Sequence, residues 1–173
     1  MGPFHGARLR LRYSAQVAVH LATDQLVEQG FVVRADGFDQ ILRAQGSPWT
    51  AVALELGDAE RSNRMFWINY FTEDLPFPMP KFLQPSIAPT LVVATARTNA
   101  EGMTELVIYP HSSRKGDSTY AFAARPRVTA AIAGVVQVAT AAAALESHEV
   151  MRGIANDGCP ASQAVVRSVL KWR

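Results

Sequence analysis

The sequence predicts an α+β domain: an antiparallel sheet of about six strands, with one face covered by an N-terminal helix and a long alanine-rich C-terminal helix. Three stretches carry that expectation. Thr90 to Arg97 and Thr104 to Tyr109 are β-rich runs separated by turn residues. Ala15 to Gln29 has helical periodicity between a serine and a glycine. Val128 to Leu145 is a long run without a charge, and it needs either a sheet to cover or a membrane to enter.

Taken in order, Arg8 to Tyr13 alternates arginine with Leu9 and Leu11, the pattern of a short strand with one apolar face. It suits an edge strand with its charges outward, or a basic patch for an acidic partner. Ser14 is a good N-cap for the helix from Ala15 to Gln29, and Gly30 a good stop. The apolar stripe of that helix is Ala15, Ala18, Val19, Ala22, Leu26 and Val27. Phe31 to Ala35 follows as a strand, and Trp49 to Leu56 as another. Between them, Phe38 to Ala44 fits a helical turn or a strand equally well. Met65 to Thr72 is an aromatic-rich strand, and alternation puts Trp67 and Phe71 on the face opposite Phe66 and Tyr70.

Residues 74–89 carry prolines at 76, 78, 80, 85 and 89, a spacing that no helix interior or central strand tolerates. This loop holds Phe77, Met79 and Phe82, so it either packs on its own domain or docks onto something else. The hairpin of Thr90 to Arg97 with Thr104 to Tyr109 comes next, then a polar loop at 111–117 and a strand from Ser118 to Ala124. Pro126 suits the first turn of a helix. That helix should run from 126 to 147, with Val128, Ile132, Val135, Val136, Ala139 and Ala143 facing the core. The residues after Leu145 continue or fray it, and His148 falls on its small, faintly polar side. A last amphipathic helix is expected at 160–172, either docked on the domain or lying on an anionic surface.

A chain of 173 residues fits a single domain, and 49% hydrophobic with 18% charged residues marks it as globular. The formal charge of +2 gives no reason to expect nucleic acid. With one cysteine, no intrachain disulfide is possible, and no secretory h-region is visible, so the cytoplasm is the expected location. Alanine and arginine in place of lysine hint at a GC-rich bacterial genome.

No catalytic constellation is legible. Cys159 lacks an identifiable base, and the four histidines are scattered singly, so neither nucleophilic catalysis nor a metal site is indicated and no cofactor is expected. Ser112, Arg114 and Lys115 form a weak candidate for anion binding, without the glycine pattern of a P-loop; a solvated turn explains them as well. The order of helix, antiparallel strands and long C-terminal helix is similar to helix-grip folds, in which a curved sheet grips a helix around an apolar cavity. The early helix and the proline-rich stretch depart from that arrangement.

Three functional expectations follow. The first is a non-enzymatic interaction or assembly module that binds a protein partner or a second copy through Trp67, Phe71, Phe77, Met79 and Phe82. The second is a binder of a hydrophobic small molecule in a cavity between the sheet and the long helix. The third is an enzyme of unidentified class.

Overall fold

A computed structural model describes residues 5–34, 44, 46–56, 90–112 and 124–152. Among them are six strands and two helices of more than one turn: β1 (His5–Leu11), α1 (Ala15–Glu28), β2 (Val32–Val33), β3 (Thr50–Leu56), β4 (Thr90–Thr98), β5 (Thr104–Ser112), α2 (Arg125–Ala141) and β6 (Leu145–Arg152). The strands form one antiparallel sheet in the order β2-β3-β4-β5-β1-β6. The fold is α+β, as expected. The aromatic strand at 65–72, the proline-rich loop, the strand at 118–124 apart from Ala124 and the helix at 160–172 all lie outside the described residues.

Alternation along the strands sorts the sheet into two faces. Ala7, Leu9 and Leu11 of β1 share a face with Leu106 and Ile108 of β5 and with Val92, Ala94 and Ala96 of β4. Leu54 and Leu56 of β3 extend this layer. Ala18, Val19, Ala22 and Leu26 of α1 and Val128, Ala131, Val135 and Ala139 of α2 complete the same core, so both helices cover one face. Here α1 lies over β3, β4 and β5, while α2 lies beside it over β1 and β6. Burying one such leucine stabilises the fold by roughly 1.5–3 kcal/mol, so this layer supplies most of the driving force among the described residues. On the opposite face Leu91, Val93 and Val107 are also buried, although no described helix lies over them. That two-sided burial is why β4 reads as the nearly continuous apolar run TLVVATA.

The helices meet closely. A Cβ added at Gly134 would fall 1.7 Å from Gln25 Oε1, so the lack of a side chain on α2 is what admits Gln25 of α1. Ser14 caps α1 as expected, its Oγ accepting from the Val17 amide at 3.3 Å. At the other end Gly30, with φ 87°, sits in a Schellman motif: its N–H reaches the Val27 carbonyl and the Phe31 N–H reaches that of Leu26. Of the expected α1 stripe, Val27 is the exception and is half exposed.

The hairpin forms as predicted. Asn99 Oδ1 accepts from the amides of Glu101 and Met103, and Gly102 takes positive φ in the turn. β5 runs past Tyr109 to Ser112 because its ladder with β4 continues to Thr90, and it tolerates Pro110 because its described pairing with β1 ends at Ile108.

Two expectations are corrected. The first concerns β1, which is interior, paired on both sides by β5 and β6 rather than standing at an edge. Two of the three arginines in the run are ion-paired within the chain and Arg10 is exposed: Arg8 meets Glu105 at 3.0 Å and Glu149 at 3.7 Å, and Arg12, just past β1, meets Glu146 at 2.7 Å. The second concerns the long helix, which ends at Ala141 rather than 147. Ala143 turns left-handed with φ 53°, its N–H bonding the Thr140 carbonyl while the Ala144 N–H bonds that of Ala139. This is a second Schellman motif, with alanine where glycine is usual. The following residues, LESHEVMR, form β6 instead of a continued helix, because the ladder on β1 offers them backbone partners along its whole length. Ala143, expected in the core stripe, is exposed. No described helix is long and apolar enough to cross a membrane.

Candidate functional site

β6 closes one side of the sheet, and no described strand pairs with its outer edge. Every residue from Glu146 to Val150 is exposed. Among the described residues, nothing takes up the N–H and C=O groups along that edge, and such a row is a template for another extended segment. Its two glutamates, though exposed, are ion-paired within the chain, Glu149 with Arg8 and Glu146 with Arg12.

Between this edge and α2 runs an apolar groove of about 490 Å³. Val150 and His148 of β6 form its floor with Gly6 and Ala7 of β1. Ile132, Val136, Thr129, Ala133 and Gln137 of α2 form its wall. These positions share a side because α2 residues three, four and seven apart lie on one stripe, while His148 and Val150 alternate with Ser147 and Glu149. Val150 is 50% exposed, an unusual state for a valine on the apolar side of a sheet. The reason is geometric: α2 covers β1 and only the near part of β6, leaving a ledge one strand wide.

Arg125 and Gln137 mark the two ends of the ledge, with Thr129 and His148 between them. Because α2 turns back directly into β6, the two elements run antiparallel, and Arg125 lies towards the Val150 end while Gln137 lies towards Leu145. Arg125 is half-buried and makes no ion pair among the described residues. Among the described residues no carboxylate lines the groove, and the fixed charge they give it is positive.

A second groove of about 500 Å³ lies between α1 and the end of α2, lined by Tyr13, Gln16, Val17, His20, Leu21, Asp24 and Val138. His20 and Asp24 approach each other to 3.9 Å there, both well exposed. Without a neighbouring strand edge, this groove offers a partner only side-chain contacts.

Of the residues singled out from sequence, Trp67, Phe71, Phe77, Met79 and Phe82 lie outside the described residues, as do Arg114, Lys115 and Cys159. Ser112 is placed at the end of β5, opposite Thr90. His148, expected on a helix, is on the exposed strand and lines the groove. Among the described residues no group of three His, Cys, Asp or Glu side chains is arranged to hold a metal. The signal that would have found the ledge is the alternation in HEV of β6, masked by good helix formers on either side. No protein-family model, no curated protein and no solved structure matches the chain.

Proposed function

We propose that the chain is a non-enzymatic binding module that takes up an extended segment of a protein partner along β6. One observation supports this reading: a strand edge that no described strand pairs lies directly beside an apolar ledge. Strand addition needs both, since main-chain hydrogen bonds supply affinity and pockets for alternate side chains supply specificity. The glutamates on β6 discourage indiscriminate pairing, as charged residues do on natural edges.

The volume of the groove also falls within the roughly 300–1,000 Å³ usual for small-molecule sites, and it lies between sheet and long helix. Its open side argues against that use, because such sites bury most of their ligand. The solution mass of the purified chain, measured together with native mass spectrometry for a retained ligand, separates these readings. A monomer free of small molecules supports a partner-binding module, whereas a co-purifying apolar compound supports the second reading. Val150→Asp then tests the ledge itself. The side chain is half exposed, so the fold should keep its unfolding midpoint while binding of a partner segment is lost.

A further inference from the structure

We infer that the segment taken up along β6 is acidic at one end, with a carboxylate that meets Arg125 and apolar side chains at alternate positions that fill the ledge. The inference rests on the binding reading above and deepens it. Its argument is charge complementarity. The groove is lined mainly by apolar groups, and among the described residues its one fixed charge is the Arg125 guanidinium, which has no acidic partner there. A cation left half-buried beside apolar surface favours an anion that can reach it, because hydrogen bonds to charged groups gain strength as water is excluded. The acids of β6 do not oppose this. Glu149 points to the other face and is held by Arg8, and Glu146 lies at the far end, bound to Arg12.

The dimensions fit a short strand. From Arg125 to Gln137 the helix wall spans roughly 18 Å, the length of about five extended residues. Two or three of these direct side chains onto Val150, Ile132 and Val136, while the carboxylate sits at the Val150 end.

The experiment selects a random peptide library displayed on phage against the full chain, then measures the selected peptides as synthetic probes by fluorescence anisotropy and maps them by amide chemical shifts. The expected result is enrichment of peptides with alternating apolar residues and an acidic residue at one end, with shifts concentrated in β6 and the facing side of α2. Arg125→Gln should weaken them by about threefold to tenfold, the range between an exposed ion pair and a half-buried charge-assisted bond. Arg125→Lys should restore most of the loss. Arg125→Gln removes a cation from a helix N-terminus, so it should not impair folding. Peptides that map to β6 without an acidic preference, and that ignore Arg125→Gln, overturn the inference while leaving the binding reading intact. Absence of enrichment, shifts elsewhere, or a chain whose β6 is sealed in a dimer overturns both.

Discussion

Replacing Ala143 with glycine tests the chain reversal that creates β6, and the sign of the effect decides it. Ala143 has φ 53°, a conformation that costs an L-residue with a Cβ roughly 1–2 kcal/mol relative to right-handed backbone. Glycine removes that strain but adds freedom to the unfolded chain worth about 0.5–1 kcal/mol. Ala143 is exposed, so no packing is lost. The net expectation for Ala143→Gly is stabilisation by about 0.5–1 kcal/mol, or a rise in melting temperature of about 1–4 °C for a chain of this size. Were residues 142–147 a continuation of the helix, the same glycine would sit in a helix interior and destabilise by about 1 kcal/mol. Urea unfolding followed by far-UV circular dichroism distinguishes the two, with the slope unchanged and only the midpoint displaced. A lower midpoint for Ala143→Gly would refute the left-handed cap and, with it, the edge on which the binding site depends.

Two further substitutions probe the sheet. A Cβ at Gly6 would lie 2.6 Å from Tyr109 Cδ2 and 2.7 Å from the Ile108 carbonyl oxygen, so Gly6→Ala should destabilise by about 1–3 kcal/mol, read as a fall in the urea midpoint. Thr95 is fully buried and its hydroxyl has no hydrogen-bond partner among the described residues, so Thr95→Val should leave thermal stability equal or raise it by about 1 kcal/mol; a marked loss would reveal a bond that the hydroxyl makes.

The parts of the fold that were legible in the sequence are those where local chemistry and tertiary structure agree. Ser14 and Gly30 bracket α1 because a hydroxyl and a missing Cβ each suit one end of a helix. Asn99 and Gly102 mark the hairpin for a similar reason. The end of α2 was illegible because an alanine fills a position that glycine ordinarily announces, inside a run of four alanines that share one propensity. β6 was hidden by the same competition. Leu145, Glu146 and Met151 favour helix in isolation, and only the vacant flank of β1, contributed by the opposite end of the chain, turns them into a strand. The basic run at β1 misled for a related reason, since Glu105 and Glu149 come to Arg8, and Glu146 to Arg12, from distant segments. The groove inherits this illegibility. Its wall was visible as the Ile132 and Val136 side of a helix, but its floor exists only once the chain has doubled back.

The interior position of β1 also bears on how the protein is made. Ala7 is flanked by Ile108 and by Val150, so β1 waits on the ribosome for partners synthesised about 100 and then about 140 residues later. At cellular elongation rates of about 5–20 residues per second, the first of those waits lasts roughly 5–20 s. Throughout it, the leucine side of the nascent strand lacks α2, the helix that covers it in the finished fold, and neither backbone edge yet has its native partner. The Arg8, Arg10 and Arg12 charges that are paired off or solvated in the finished sheet then have an earlier use, keeping neighbouring nascent chains from zipping onto that strand before its own partners arrive.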